Sequence, residues 1–402
     1  MNRRIVKLAA VTFVAGALAL SGCGSRADTG SSSSTGATKT AKIGVIAPLS
    51  GDLSALGLGI KNSVDLAIKQ ANDSNAIPGW KLVLAAEDDQ ATPDVGKNAA
   101  TKLSSDDQVV GVVGTLNSSV AQSVTPVLQP AHIVQISPAN TNPTLTQGKD
   151  AANQARPYDN YFRTCTTDAV QGPTAATYLL SIGVKSVATI HDKKSYGQGL
   201  VEAFSKAFTA GGGKIVAAQT INPDDKDFSA VITNVKAANP AAVYYGGEYP
   251  QAGPMSKQMK AGGLNVPLMG GDGIFDPSYV DLAGTASNGD LATSVGAPVD
   301  TLASAKAFVS AYTAAGYKDP MGAYGAQSYD AANAIINALK TSLAKAADAK
   351  SARADTVTAV GSVSFDGATG KIAFDKYGDA VSKVITVYKV TGGKWATEKT
   401  LS

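Results

Sequence analysis

Between Lys42 and Val295, short runs of Val, Ile and Ala alternate with amphipathic helical stretches, and this alternation leaves few architectures open. Strands read at Ile43–Ala47, Leu82–Ala86, Val109–Val113 and Ile133–Ile136, with helices such as Ile60–Asn72 and Pro93–Leu103 between them. Unbroken β-branched runs mark strands buried on both faces, hence a parallel sheet with right-handed crossovers. A second series follows, with strands at Val187–His191, Ile215–Ala218, Ala242–Tyr245 and Pro267–Met269. Helices near Pro173–Ile182, Gly197–Ala210, Phe228–Ala238 and Pro250–Ala261 separate them, and Leu291–Val295 reads as one more strand. Leu302–Ala314 and the Ala-rich Tyr324–Ala346 read as helices without a sheet of their own, so they are expected to pack back onto the first series. Lys371–Phe374 and Lys383–Val390, around Tyr377-Gly378-Asp379, read as paired β structure. The expected class is α/β, with two parallel-sheet βαβ domains.

The polar chemistry concentrates where two consecutive strands end. Val109–Val113 breaks at Gly114-Thr115-Leu116-Asn117-Ser118-Ser119, which opens a helix, and His132–Ile136 ends in Ser137-Pro138-Ala139-Asn140-Thr141. The carboxyl edge of an open parallel sheet is where ligands bind. Ser118, at the start of a helix, could hold a carboxylate with its hydroxyl and the free N–H groups there, or could simply cap the helix.

The N-terminus reads as an export signal. Residues 1–22 carry Arg3, Arg4 and Lys7 ahead of an apolar run, Leu8 to Leu20, that is short for a membrane span. Leu20-Ser21-Gly22-Cys23 resembles the lipobox of bacterial lipoproteins, which implies lipidation of Cys23. Residues 23–40 are rich in Ser, Gly and Thr and read as a flexible tether. The signal holds three of the 35 Lys+Arg and none of the 32 Asp+Glu, so the mature chain is formally neutral. Charge therefore gives no argument for a nucleic-acid partner. Past Cys23 only Cys165 remains, which excludes an intramolecular disulfide in the mature chain.

Several motifs in order now point to a family. Phe162-Arg163-Thr164, Asp168 and Gln171-Gly172-Pro173-Thr174-Ala175-Ala176 resemble a signature of the leucine/isoleucine/valine-binding proteins of ABC importers. So do His191-Asp192-Lys193-Lys194-Ser195-Tyr196-Gly197-Gln198-Gly199, Lys226-Asp227-Phe228-Ser229, Val243-Tyr244-Tyr245-Gly246-Gly247 and Met269-Gly270-Gly271-Asp272-Gly273. The likeness runs from Ala41 to about Val390. It implies a bilobal periplasmic-binding-protein type I fold with three hinge crossovers, here near Thr167, Val295 and Lys383. The lobes would be 41–167 plus 296–383 and 168–295 plus 384–402.

Position by position, the resemblance assigns the ligand carboxylate to Ser118 and Thr141 and the ammonium to the Ala139 carbonyl and Asp272. Tyr196 would be the aromatic from the second lobe. The chain departs from the family at Leu56, where an aromatic is common, and at Glu248, where branched-chain binders carry a cleft tyrosine. Asn117 and the Asp88-Asp89 region stand where some members have a pair of cysteines. Leu56 and Leu116, with Tyr196, would supply apolar contact. If Glu248 faces the cleft, its charge needs a cationic ligand group, a protein partner such as a lysine, or a rotamer reaching water.

The expected function is extracytoplasmic capture of an amino acid, a branched-chain or similar neutral one favoured, by hinge closure and delivery to an ABC importer. Its partners would be the permease and ATPase subunits, and the membrane through the lipid on Cys23. A monomer is expected, with no cofactor, no metal and no nucleic acid. The alternatives are a polar or basic amino acid or small amide as ligand, or a role as a ligand-sensing receptor component. An enzyme is disfavoured: the chain has only His132 and His191, and no GxSxG, HExxH or Walker loop. Gly57-Leu58-Gly59 and Gly197-Gln198-Gly199 lack the third glycine of a dinucleotide fingerprint.

Overall fold

The computed structural model describes residues 38–401. Fourteen strands form among them: β1 (Lys39–Ala47), β2 (Trp80–Asp88), β3 (Val109–Gly114), β4 (Val134–Ser137), β5 (Tyr161–Arg163), β6 (Ser186–His191), β7 (Lys214–Thr220), β8 (Ala242–Gly246), β9 (Leu268–Gly270), β10 (Leu291–Val295), β11 (Phe365–Gly367), β12 (Gly370–Ile372), β13 (Ile385–Thr391) and β14 (Lys394–Leu401). The helices are α1 (Ser54–Asp73), α2 (Pro93–Ser105), α3 (Ser118–Leu128), α4 (Thr144–Gln147), α5 (Asp168–Ser181), α6 (Ser195–Ala210), α7 (Ser229–Ala237), α8 (Tyr249–Ala261), α9 (Pro277–Ala283), α10 (Lys306–Ala315), α11 (Gly325–Lys345) and α12 (Arg353–Val360).

Two sheets result. The first runs β2-β1-β3-β4-β5, parallel throughout. Its central strands are apolar on both faces because helices cover both: Val110, Val113, Val134 and Ile136 are buried in the same core as Ile335 and Leu339 of α11. The late helix α11 packs on α1, α12 and strands β3 and β4, and α10 also packs on α1. The second sheet runs β14-β13-β10-β9-β8-β6-β7, parallel from β7 to β10, with β13 and β14 added antiparallel. The chain passes between the sheets three times, after Arg163, after Val295 and before Ile385. Thr164, Thr166, Gly296, Ser382 and Val384 from these passages line one crevice.

The C-terminal region differs from the sequence reading. Lys371–Phe374 and Lys383–Val390 do not pair with each other. β12 closes a hairpin with β11, a single bridge joins Phe374 to Ala380, and β13 goes to β10. The turn between them is diverted: Asp375 accepts the N–H groups of Tyr377 and Asp379, and Asp379 is taken by the buried Arg163. β14 escaped the reading because its residues are mostly polar and exposed, as an edge strand allows. Its Trp395 and Leu401 are half-buried, and Trp395 donates to the Asp276 carbonyl at 3.0 Å.

The Gly-x-Gly of α1 serves close packing. A Cβ on Gly57 would lie 1.9 Å from the Pro48 carbonyl oxygen, and one on Gly59 would lie 2.4 Å from that of Met321. Gly57→Ala in an open helix would gain about 0.8–1.0 kcal/mol of propensity. Here overpacking, typically about 1–3 kcal/mol, should reverse the sign. Denaturant unfolding of Gly57→Ala is expected to show a lowered midpoint at unchanged slope. A raised midpoint would mean that the Pro48 loop yields freely.

Candidate functional site

The loops after β3, β4, β6, β8 and β9, all at carboxyl ends of parallel strands, converge with the starts of α1 and α11. They line a narrow cavity with about 20 Å³ of room for water. Leu56, Leu116, Asn117, Ser118 and Ala139 face it from the first sheet's side. Tyr196, Glu248, Asp272 and Gly273 face it from the second, and Tyr324 closes it. Eight of the nine ligand-site residues read from the sequence thus share one cavity. Thr141 does not line it. Arg163 donates to the carbonyls of Asn140 and Asn142 and turns the loop away after Ala139. Thr141 is fully buried behind the cavity, its carbonyl accepting the Asp168 N–H at 2.8 Å. Cys23 lies outside the described residues.

On the first side, α3 begins at Ser118 with Asn117 as its extended cap residue. The first N–H groups of a helix have no intrahelical partner and carry partial positive charge, so this corner suits an anion. On the second side, Asp272 is buried at the tip of β9. Its Oδ1 accepts from the Tyr196 hydroxyl at 2.8 Å and from Gln171 at 2.9 Å, and its Oδ2 accepts from the Tyr324 hydroxyl at 2.8 Å. Tyr196 in turn accepts the Gly273 N–H at 3.1 Å. Burial raises the Asp272 pKa against the pull of these donors. A carboxylate has about four lone-pair sites, so an ammonium can still be received. The helix cap in this loop is Asp276, which accepts the Ser278 N–H at 2.8 Å.

Glu248 faces the cavity and is met inside the protein. Asn117 donates to its Oε1 at 2.7 Å, and the Lys194 ammonium lies 3.0 Å from its Oε2. Of the three ways open to this carboxylate, the protein partner is the one that forms. Sequence reasoning missed Tyr324, Gly273 and Lys194. Tyr324 reads only as the start of a helix, and nothing local says that this helix end reaches across to β9. Lys194 lies inside a quoted motif, but its partner is 54 residues away.

The arrangement has an anion corner, a buried acid for a cation, and apolar surface from Leu56, Leu116 and Tyr196. Among the described residues no group of three or more His, Cys, Asp or Glu could hold a metal. No helix among them is long and apolar enough to cross a membrane. The sequence profile of the family described as periplasmic binding protein matches residues 40–394. The chain belongs to that family. This binding protein is 33% identical over 353 residues to a Leu/Ile/Val-binding protein, BraC3, of Rhizobium johnstonii, covering 88% of this chain and 92% of the relative. It is 35% identical over 322 residues to a leucine-specific-binding protein of Salmonella typhimurium, covering 79% and 84%. Among solved structures, the branched-chain amino acid transporter substrate-binding protein LivJ of Streptococcus pneumoniae, in complex with isoleucine, superposes with TM-score 0.79 at 27% identity, covering 90% of this chain and 99% of that one. The fold is thus the type I binding-protein fold, and its family binds solutes rather than catalysing reactions.

A second buried acid stands behind the first. Gln171 lies 3.5 Å from Asp168 Oδ1 while it bonds Asp272, and Asp168 Oδ2 has no hydrogen-bond partner. Burial, then the nearby Asp272 charge, pushes Asp168 up to about 8. Between the ordinary carboxylate range and that value the folded protein holds a proton that the unfolded chain has released, so stability falls as pH rises. Asp168→Asn should remove this slope. Unfolding at pH 5, 6.5 and 8 is expected to show the variant gaining on the wild type by up to about 1.4 kcal/mol per pH unit. Parallel profiles would mean that Asp168 titrates as an ordinary carboxyl.

Proposed function

We propose that this protein captures a neutral, branched-chain-like amino acid, closes over it and delivers it to an ABC importer. The observation that carries the reading is Glu248: with Lys194 and Asn117 on its two oxygens, the cavity has no unmet charge to offer a ligand side chain. Leu56, Leu116 and Tyr196 then supply the side-chain surface. Ser118 and the start of α3 hold the carboxylate, and Asp272 with the Ala139 carbonyl holds the ammonium. Each charge-assisted hydrogen bond of this kind adds about 1.5–3 kcal/mol. The names of the leucine and Leu/Ile/Val-binding relatives support the same ligand class.

Capture needs two lobes, proposed as 41–167 plus 296–383 and 168–295 plus 384–402, hinged at the three passages. Away from the hinge passages, hydrogen bonds that join these lobes include Asn117 to Glu248, Tyr324 to Asp272, Asn142 to the Ser195 carbonyl at 2.7 Å, Tyr249 to the Asp52 carbonyl and Lys226 to Asp52 at 3.5 Å. Residues 1–22 and Cys23 would export the protein and anchor it by lipid to the outer face of the cytoplasmic membrane, beside the permease and ATPase it serves.

Asp272→Ala should weaken leucine binding by about 2 kcal/mol or more, roughly 30-fold, because an ammonium is left unpaired. Calorimetry giving wild-type affinity would remove Asp272 from the site. For the anchor, Cys23→Ser should abolish labelling by radioactive palmitate and release the protein from the membrane fraction. Wild-type protein that carries no lipid by mass spectrometry would overturn the anchor.

A further inference from the structure

Lys194 does not line the cavity. It caps the start of α6 and stands at the solvent-facing mouth between the lobes, with Ser50, Asp52, Asp224 and Gln251 around that mouth. From there it reaches the far side of Glu248, whose other side faces the ligand. Its side chain is 22% exposed, that of Glu248 6%. The third member of the cluster is Asp192, buried, with Oδ1 accepting the Lys194 N–H at 3.0 Å and Oδ2 without a partner. Burial and the neighbouring Glu248 push Asp192 up to about 8. Burial opposes the Lys194 charge, but Glu248 and then Asp192 outweigh it and hold the ammonium above its ordinary value. Lys194 is thus the cation of the cluster, set between the Glu248 and Asp192 carboxyl groups.

The geometry points to Lys194 as the residue that decides which ligand side-chain charge the site accepts, acting through Glu248 without touching the ligand. This rests on the amino-acid-binding reading above. A buried carboxylate without a cation either takes up a proton or recruits a cation. Beside a ligand cavity, the recruit is the ligand itself. With Lys194 present, a basic ligand would bring a second cation to a carboxylate already paired, while an aliphatic side chain leaves that pair undisturbed. Asn117 cannot do the same work, because an amide supplies a donor but no charge. Rejection of the wrong side chain by an unfavourable charge is a usual route to specificity.

Calorimetry with leucine, isoleucine, valine, lysine and ornithine on wild type, Lys194→Met, Lys194→Arg and the Lys194→Met/Glu248→Gln double variant tests this, with circular dichroism as the folding check. Lys194→Met should bind lysine and ornithine at least about tenfold more tightly than wild type does, since the freed carboxylate gains a charge-assisted partner. Lys194→Arg should keep the wild-type pattern, and the double variant should lose the gain. A purely structural lysine would shift stability and all five affinities together. Lysine and ornithine affinities unchanged in a folded Lys194→Met, or a gain that survives in the double variant, would overturn the assignment. If Lys194→Met does not fold, Lys194→Gln carries the same comparison. The leucine, isoleucine and valine affinities of the wild type judge the neutral-ligand reading separately: their absence sinks that reading, while the lysine comparison still decides on Lys194.

Discussion

One buried cation organises the region behind the cavity. The Arg163 guanidinium and the Asp379 carboxylate are both fully buried, with Nε 2.7 Å from Oδ1. The same guanidinium donates to the carbonyls of Asn140 and Asn142 and to the Thr146 hydroxyl at 2.6 Å, and Gln147 donates to Asp379 at 2.8 Å. A strand end, the loop after β4, α4 and a turn more than 200 residues later are thereby tied to one charge. Desolvating such a pair consumes much of its attraction, so its worth lies in what it fixes. It fixes the loop carbonyls of Asn140 and Asn142 on either side of Thr141. Removing one partner would strand a charge, at a cost of about 3–5 kcal/mol.

Around that pillar the cleft is held by few contacts. The hydrogen bonds crossing it contribute about 0.5–1.5 kcal/mol each in net terms, more where a carboxylate accepts. Sums of that size are comparable with the differences that set open and closed populations. A ligand that adds a handful of charge-assisted bonds can therefore decide the equilibrium. Tyr324 matters here because it donates to Asp272 from the opposite side, so in the proposed binding mode an arriving ammonium would share that oxygen.

Much of this was legible in the sequence, for a physical reason. β3 and β8 are buried along their whole length and β1 and β6 through their inner residues, so apolar side chains dominate there, and the polar clusters that follow them mark the sheet edge. The loop residues could then be placed in order, and eight of nine meet at one cavity. What stayed hidden depends on distant partners. Thr141 has the right chemistry but lies buried outside the cavity lining, its hydroxyl without a partner. Lys194 sits in plain view in a motif, yet its meaning comes from Glu248. β14 has the composition of a surface loop, because an edge strand need bury only one side. At the C-terminus the expected pairing gives way to distant partners, β12 pairing with β11 and β13 with β10 and β14, while Asp379 in the turn pairs with Arg163.

The order of the elements along the chain has a kinetic consequence. β1 to β5 are complete by residue 163, but α11, which covers β3 and β4, ends only at residue 345. The second sheet likewise lacks β13 and β14 until the last residues emerge. Neither half can be finished from a continuous stretch, so contacts between distant segments must form before either is stable, and such topologies fold slowly. A chain emerging from its N-terminus therefore exposes sticky, half-covered strands for most of its length. It is the last fifth of the sequence that turns a string of βαβ units into a folded molecule.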